Sequence, residues 1–373
     1  MNFRFCHIIA HCREFAHSNR SCCATIAPPM SLMMEEIREQ PEALERTFKA
    51  EREHAKEFSR FARRQGFRLI VLVARGTSDN AATFGRYLLE ITTGIPVSLA
   101  APSVHTLYHA PLDFHRALVI GISQSGEGTD INRVLGSARR QGATTLAITN
   151  ERSSTMARLA DDAFLVRAGR QRSVAATKTY TGQLMLLYLL AAALGSHVTS
   201  ASISEIPGWA KQALALETEL RELVERYRYM RVCAVVARGI NYANAFELAL
   251  KLMETCYVVA ERFSSADFRH GPIALVERDF PVILLMPPGK AFRDLKRLAE
   301  RLGKLRAETI AFSSHGARLP PTTRAVRIPG EIPEIYSPIP YIIPGQLFTC
   351  LLAGVKGLDP DNPRSLQIVT RTV

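Results

Sequence analysis

The first residues able to do chemistry lie in the stretch VIGISQSGEGTD, from Val119 to Asp130. An apolar run ends there in Ser123, Gln124 and Ser125, and a helical pattern begins a few residues later. In such a βα unit, serine hydroxyls, an amide and the free N–H groups of a helix start can donate to an anion. Because the loop has no lysine, it is not a GxxxxGK[ST] nucleotide loop. It is interpreted as a phosphate cradle of neutral donors for a small phosphorylated ligand, with an ordinary Ser/Gly turn as the alternative.

A second polar cluster lies in ALKLMETCYVVAERFSSADFRHGP, residues 249–272. Lys251 and Glu254 are three positions apart, which places them on one face of a helix. His270 precedes a Gly-Pro pair, where a turn should expose its ring. A carboxylate and an imidazole are well suited to move protons near neutral pH, so this is a candidate proton-transfer site. The alternative is a surface ion pair and a turn histidine; the phosphate loop favours the chemical interpretation.

These side chains need a scaffold, and the pattern of the chain predicts a parallel α/β structure. Short β-rich apolar runs occur at residues 69–76, 95–100, 117–123, 144–150 and 162–168. Amphipathic or loop segments separate them, and a helical pattern precedes them from Ser31, with Pro41 expected in a first turn. This alternation is typical of a parallel sheet covered by helices on both faces.

The second half of the chain repeats the first. VARG (73–76) recurs at 236–239, ALVIGISQSG (117–126) corresponds to FPVILLMPPG (280–289), and TGQL (181–184) corresponds to PGQL (344–347), each 163 positions on. The sequence therefore predicts a duplicated α/β domain with a helical connection near residues 206–227. Met286, Pro287 and Pro288 replace the polar loop in the second copy. Since proline has no N–H to donate, the anion cradle is expected only in the first copy.

Length and composition fit a large globular protein with two domains. The chain has 373 residues, of which 47% are hydrophobic, and a formal charge of +12 from 47 basic and 35 acidic residues. The longest apolar run, Leu184–Leu194, is too short to cross a bilayer and is interpreted as a buried helix. The basic residues alternate with apolar ones as on solvated helix faces, without interleaved aromatic residues. Neither a nucleic acid nor a membrane is expected as a partner.

The first 29 residues look unlike the rest of the chain. They hold four of the seven cysteines, at Cys6, Cys12, Cys22 and Cys23. The spacing of these cysteines and the nearby histidines matches no zinc pattern, so no metal is predicted. An odd cysteine count without a secretory signal favours a reducing cytoplasm. Residues 1–29 are interpreted as a disordered extension or the product of an upstream start codon.

The motifs RGTS, ISQSGE, VAATKTYT (174–181), ALKLME, FRHGP and DNPRSL (361–366) resemble those of the double sugar-isomerase (SIS) domain proteins. This family includes the isomerase half of glucosamine-6-phosphate synthase and stand-alone sugar-phosphate deaminases and isomerases. The resemblance covers about residues 31–373. It implies two tandem flavodoxin-like domains, usually in a homodimer whose sites are completed across subunits, without a cofactor. Because no glutaminase domain accompanies the motifs, glutamine is not expected to be the ammonia source.

The expected segments are an extension at 1–29, a first SIS domain at 30–205, a second at 206–358 and a tail at 359–373. The resemblance also implies roles for single residues. The residues that would hold the sugar phosphate or line the site are Thr77, Ser78, Ser123, Gln124, Ser125, Thr129, Val174, Ala176 and Thr177. Glu254 would shuttle a proton between C1 and C2 of the sugar, His270 would help to open its ring, and Lys251 would steady the base or a hydroxyl. Positioned donors and the lysine would stabilise the enediol oxygen without a metal.

Three positions depart from the family pattern. Gly128 stands where a hydroxyl residue often follows the phosphate loop, with Thr129 one place later, and Ala176 replaces a serine. Ile368 stands where the family tail has a lysine that forms a Schiff base, if the tail keeps the usual register. Isoleucine is neither a nucleophile nor a donor, so that imine is expected to be lost. The sequence predicts an amino-sugar 6-phosphate deaminase or isomerase. The alternatives are a fructosyl-amino-acid 6-phosphate deglycase and a non-catalytic sugar-phosphate sensor.

Overall fold

Residues 31–366 are the part of the chain that the computed structural model describes, and they form two parallel sheets covered by helices. The predicted extension at 1–29, with its four cysteines, and Ile368 in the tail lie outside the described residues. The predicted α/β class, with two tandem flavodoxin-like domains, is confirmed by these two sheets.

The first sheet is built from the five apolar runs that the sequence predicts as strands. These strands are β1 (Leu69–Val73), β2 (Val97–Leu99), β3 (Ala117–Ile122), β4 (Thr144–Thr149) and β5 (Asp162–Leu165). They are parallel, in the order β2-β1-β3-β4-β5, and β3 and β4 are buried along their whole length. Continuous apolar runs of this kind are typical of central strands with helices on both faces.

The second sheet has the same topology as the first. Its strands are β6 (Val232–Ala237), β7 (Val259–Ser264), β8 (Pro281–Met286), β9 (Glu308–Ser314) and β10 (Thr323–Ile328), in the order β7-β6-β8-β9-β10. Val71 of β1 pairs with Val119 of β3, and Ala234 of β6 pairs with Val282 of β8. Both residues of the second pair lie 163 positions after those of the first, so the predicted duplication is confirmed.

Helices connect and cover the strands. They are α1 (Leu32–Arg38), α2 (Gln40–Arg64), α3 (Thr77–Thr93), α4 (Pro102–Thr106), α5 (Thr129–Arg140), α6 (Thr155–Leu159), α7 (Lys178–Leu194), α8 (Ser200–Ser204), α9 (Ile206–Leu214), α10 (Glu217–Glu225), α11 (Tyr242–Cys256), α12 (Ser265–Arg269), α13 (Phe292–Lys304) and α14 (Pro338–Val355). Short 3-10 helices occur at Gly239–Asn241, Pro272–Leu275 and Glu334–Tyr336. Pro41 lies in the first turn of α2, as predicted, where its missing N–H does no harm.

The helices α7 and α14 occupy equivalent positions in the two repeats and are buried on all sides. Every residue from Lys178 to Ala191 in α7, and from Pro338 to Ala353 in α14, is buried. The predicted buried helix at Leu184–Leu194 is therefore confirmed as part of α7. Within residues 31–366, α14 alone is long and apolar enough to be considered for a membrane span, but 89% of that window is buried inside the molecule.

One continuous hydrophobic core joins the two repeats. It contains Leu72 and Tyr188 from the first repeat together with Leu248 and Leu347 from the second. The connecting helix α9 packs against α2 on one side and α14 on the other. The domain boundary predicted at residue 206 stays a prediction, because the connecting helix α9 contacts helices of both repeats.

The start of α1 is held by the tail of the chain. The carboxylate of Asp361 accepts the N–H groups of Leu32 and Met33, at 2.7 and 2.8 Å, and the Ser31 hydroxyl accepts the N–H of Met34 at 3.2 Å. A carboxylate at this place satisfies N–H groups that have no partner within the helix and interacts favourably with the helix dipole. The first and last described segments are thus tied together.

A histidine between two carboxylates joins α2 to β5. His54 Nδ1 lies 3.1 Å from Glu51 Oε2, and His54 Nε2 lies 3.0 Å from Asp162 Oδ2. Arg167 also pairs with Glu51, at 2.7 Å. Hydrogen bonds to Asp162 and then to Glu51 raise the pKa of His54 to about 10. The imidazole is therefore cationic at neutral pH, and its ion pair with Asp162 stabilises the contact between α2 and β5.

We expect His54→Gln to remove a pH-dependent part of the stability. Because folding raises the pKa of His54 from 6.5 to about 10, its stabilisation is complete below about pH 6.5 and disappears as the pH rises towards 10. The side chain is 35% exposed, and solvent screening limits the effect to about 1 kcal/mol. Denaturant unfolding across this range measures it, with exposed His115→Gln as the control. An unchanged pH slope in His54→Gln would contradict this account.

Candidate active site

A cavity of about 350 Å³ opens where the carboxyl ends of β1 and β3 face helix α11 of the second repeat. The predicted site residues that line it are Thr77, Ser78, Ser123, Gln124, Ser125, Val174, Ala176, Lys251 and Glu254. The fold therefore brings the polar loop of the first copy and the Lys/Glu pair of the second copy, which are far apart in sequence, into one cavity.

The polar loop after β3 is held by hydrogen bonds of its own. The hydroxyl oxygen of Ser123 accepts the N–H of Gly126 at 3.1 Å, and that of Ser125 accepts the N–H of Glu127 at 3.3 Å. The carbonyl of Gln124 accepts the N–H of Asn150, at 3.1 Å, from the end of the neighbouring strand. Since both serine oxygens act as acceptors inside the loop, their O–H groups remain available to donate into the cavity.

Gly126 is required by the shape of the loop. Its φ is +66°, in the left-handed region that favours glycine, and an added Cβ would lie 2.3 Å from the hydroxyl oxygen of Ser154. Ser154 in turn caps α6 by accepting the N–H of Ala157. The loop is thus pressed against the next βα connection, so that its donors are positioned before any ligand arrives.

Opposite the loop, Lys251 lies between two carboxylates. Its Nζ is 2.5 Å from Glu254 Oε2 and 3.5 Å from Glu247 Oε1. Glu247 is fully buried and accepts hydrogen bonds from Asn80 Nδ2, at 2.8 Å, and Thr77 Oγ1, at 3.3 Å. The side chain of Glu254 is 22% exposed, against 1% for Lys251. Glu254 is therefore the carboxylate of this group that a ligand in the cavity can reach.

The electrostatics of the group keep Lys251 charged. Burial lowers the pKa of Lys251, but attraction to Glu247 and Glu254 outweighs it, and the net direction is upward. Burial raises the pKa of Glu247, against the opposing effects of Lys251 and Asn80. The cavity thus holds a fixed cation beside a partly exposed carboxylate. Within residues 31–366, no group of three or more His, Cys, Asp or Glu side chains is arranged to hold a metal ion.

The loop that carries Val174 and Ala176 is fastened by the first helix. The buried Glu36 of α1 accepts the N–H groups of Arg172, at 2.6 Å, and Ser173, at 3.3 Å. Burial raises the pKa of Glu36, although these hydrogen bonds and Lys178 act against it. A helix outside the first sheet therefore sets the position of this cavity wall.

Three predicted site residues do not line the cavity. Thr129 is exposed at the first position of α5 and borders a separate surface cleft with His105 and Asn132. Thr177 is fully buried at the start of α7, and its hydroxyl has no protein partner within residues 31–366. His270 is exposed at the end of α12, as the turn pattern predicts, and it does not line the cavity that Glu254 lines.

The tail returns to the cavity. The N–H of Arg364 donates to the hydroxyl of Tyr257 at 2.9 Å, and the Arg364 guanidinium stacks on the Tyr257 ring, 4.5 Å from its centroid. Leu366 lines the cavity. The predicted tail position Ile368 follows two residues later, outside the described residues.

Several residues of the site escape the sequence analysis. Glu247 is four positions before Lys251, so helical spacing alone could have placed it on the same face. Arg75 and Asp130 line the cavity and form an ion pair of 2.7 Å. Gln183 and Gln171 also line it. Arg75, Asp130 and Gln183 lie within the motifs quoted above, but nothing in those motifs marks their side chains as part of the site.

A family model of the SIS domain matches the chain twice, over residues 68–193 and 231–350. The two matches begin 163 positions apart (231 minus 68), which is the offset of the duplication. With two parallel sheets of the same order and a cavity between the repeats, the chain belongs to the SIS-domain family.

Some of the known proteins that this chain resembles are longer than it is. Glutamine–fructose-6-phosphate aminotransferase (isomerizing) from Pyrococcus horikoshii is 34% identical over 341 residues, covering 90% of this chain and 56% of that protein. The chain spans about half the length of the curated relatives that it matches. The structure of a candidate phosphosugar isomerase from Silicibacter pomeroyi has a TM-score of 0.80 and 30% identity, covering 89% of this chain and 100% of that one. The C-terminal domain of glucosamine-fructose-6-phosphate aminotransferase from Francisella tularensis has a TM-score of 0.79 and 27% identity, covering 89% and 98%.

Gly126→Ala is expected to destabilise the protein more than Gly142→Ala. Both glycines have positive φ, so both substitutions carry the cost of a left-handed backbone. Only at Gly126 would the new Cβ collide with Ser154, whereas nothing lies within 4 Å at Gly142. Overpacking costs about 1–3 kcal/mol, and the free energies of unfolding should differ by that amount. Equal losses in chemical denaturation would mean that the loop is not pressed against Ser154.

Proposed function

We propose that this chain is an enzyme that acts on a sugar 6-phosphate of the glucosamine 6-phosphate or fructose 6-phosphate type and moves a proton between C1 and C2. The observation that carries the proposal is the single cavity in which the donor loop Ser123–Ser125 faces Lys251 and Glu254. An anion cradle and a proton-transfer group in one cavity suit a substrate whose reacting carbons lie a short chain away from its phosphate.

The relatives support this substrate class. The names of the aminotransferases from Pyrococcus horikoshii and Thermococcus kodakarensis refer to fructose 6-phosphate and to isomerisation. The C-terminal domain of the aminotransferase from Francisella tularensis also superposes on most of this chain. We assign the isomerising half of such a reaction, and not a glutamine-dependent one, to the residues 31–366 that carry the cavity.

The chemistry follows from the groups in the cavity. In open-chain glucosamine 6-phosphate, Glu254 removes the proton from C2 and returns it to C1, while the ammonium of Lys251 stabilises the negative charge that develops on the C1 oxygen. The C1 oxygen then gains a proton and the amine loses one, so the aldehyde becomes an alcohol and the product is an imine at C2. Water adds to this imine, the C–N bond breaks, and ammonia leaves fructose 6-phosphate behind. Without the amine, the same proton transfer interconverts the aldose and the ketose.

Ammonia release and aldose–ketose conversion should both depend on Glu254. Glu254→Gln keeps the shape and the contact with Lys251 but cannot accept a proton, so kcat should fall by about 10²–10⁴ while KM changes little. A panel of amino-sugar 6-phosphates, followed by coupled ammonia and fructose 6-phosphate assays, measures both reactions. Exposed Glu261→Gln is the matched control and should keep wild-type kinetics.

The same assay distinguishes the proposed deaminase or isomerase from the two alternatives, a deglycase and a non-catalytic sensor. Release of an amino acid from fructosyl-amino-acid 6-phosphates, without ammonia from amino sugars, would favour the deglycase. An inactive wild type that is still stabilised thermally by fructose 6-phosphate would favour a sensor. Activity that appears only in Ile368→Lys would show that the tail lysine is required and has been lost here.

We further propose a homodimer in which His270 of each chain serves the cavity of the other, where it would help to open the sugar ring. His270 is exposed and does not line the cavity of its own chain. Nearby Leu275 is 59% exposed, and Met253, next to Glu254 in sequence, is 36% exposed. Exposed apolar side chains beside functional residues are suited to contact a second subunit.

Complementation tests this arrangement. Glu254→Gln and His270→Asn should each be inactive, but their co-expression should restore about a quarter of the wild-type activity, since half of the dimers are mixed and each mixed dimer has one intact site. Two affinity tags allow the mixed species to be isolated. No recovery in the purified mixed species, with both parents folded, would place both residues at the site of one chain.

A further inference from the structure

The amide of Gln183 in α7 is only half satisfied. Its Nε2 donates to the hydroxyl oxygen of Ser78 at 2.9 Å. Its Oε1 is buried and accepts no hydrogen bond from any group within residues 31–366. Gln183 is 1% exposed, yet it lines the cavity together with Ser78. A buried acceptor without a partner is rare in folded proteins, and one that faces a ligand cavity points to a donor on the ligand.

The duplication provides an internal comparison. Gln346 of α14 lies 163 positions after Gln183, in the corresponding tetrapeptide, and it is also fully buried. There the Oε1 accepts a hydrogen bond from Gln40 Nε2 at 2.8 Å, and the residue does not line the cavity. The carbonyl oxygen of this glutamine is therefore used inside the protein in the second repeat and left free in the first, where the cavity is.

The Gln183 amide also sets the direction of the Ser78 hydroxyl. Because the Ser78 oxygen accepts from Gln183, its own hydrogen must be donated elsewhere. The described residues offer no acceptor to it, so this hydrogen is available to an oxygen of the ligand. One corner of the cavity thus presents a donor from Ser78 and an acceptor from Gln183, side by side.

We propose that Gln183 and Ser78 form a subsite that recognises the sugar part of the ligand, with Gln183 accepting a hydrogen bond from a hydroxyl or amino group. The inference rests on the sugar-phosphate function proposed above. Ala176 lines the same cavity with only a methyl group, so polar recognition of the sugar is assigned to Gln183 instead of that position. The phosphate is bound separately by the loop at Ser123–Ser125, so the two recognition tasks can be measured apart.

Gln183→Met tests the subsite because methionine has a similar volume but no amide. Calorimetric titration with fructose 6-phosphate, glucosamine 6-phosphate and inorganic phosphate gives the Kd of each. We expect about a 10-fold weaker Kd for both sugar phosphates, from the loss of one hydrogen bond to a buried partner, and a nearly unchanged Kd for inorganic phosphate. Gln346→Met, which removes an equally buried glutamine outside the cavity, should keep the wild-type Kd for all three.

The outcomes are distinct. Unchanged Kd values for the sugar phosphates would overturn the subsite. An equally large loss of affinity for inorganic phosphate would also overturn it, because that result indicates a structural role for Gln183. If Gln183→Met does not fold, Gln183→Glu is measured in its place. The added negative charge should strengthen the binding of glucosamine 6-phosphate relative to that of fructose 6-phosphate, and an unchanged ratio of the two Kd values would overturn the proposal. A wild type that binds inorganic phosphate but no sugar phosphate would overturn the proposed function itself, and the subsite with it.

Discussion

The arrangement of the site depends on a buried charge group that crosses from one repeat to the other. Lys251 and Glu247 belong to the second repeat, and Glu247 is held by Thr77 and Asn80 of the first. Buried charges are costly unless each is paired and hydrogen-bonded, so the two repeats have few relative positions in which this group is satisfied. The same contacts that fix the repeats against each other place Glu254 in the cavity that the Ser123–Ser125 loop also lines.

Much of this could be read from the sequence because the signals are local. The strand runs, the 163-residue repeat and the change from Ser123–Ser125 to Met286–Pro288 are visible without a structure, and so is the Lys251/Glu254 spacing. The partners of these groups are not visible in the same way. Glu36 and Gln183 act across long sequence distances, and although Gln183 lies in the repeated tetrapeptide TGQL, neither residue's partners can be identified from its neighbours in sequence. Thr129 shows the opposite case, where proximity in sequence to the loop did not bring a side chain into the cavity.

The two repeats share one scaffold but contribute different groups to the cavity. The first repeat keeps the donor loop and a glutamine with a free oxygen, whereas the second has prolines in its loop and a glutamine whose oxygen accepts from Gln40. The second repeat instead contributes the charged face of α11, with Lys251 and Glu254, to the cavity. Because the donor loop belongs to one copy and the charged face of α11 to the other, neither repeat alone holds both of the groups that line the cavity.

The contact between Asp361 and the start of α1 has a consequence for the site, although it lies outside the cavity. The tail residue holds α1, and Glu36 of α1 holds the wall that carries Val174 and Ala176. The first and last described segments therefore meet, and together they hold one wall of the cavity. A disturbance of either segment would be transmitted through α1 and Glu36 to this wall of the cavity before it affected the two sheets.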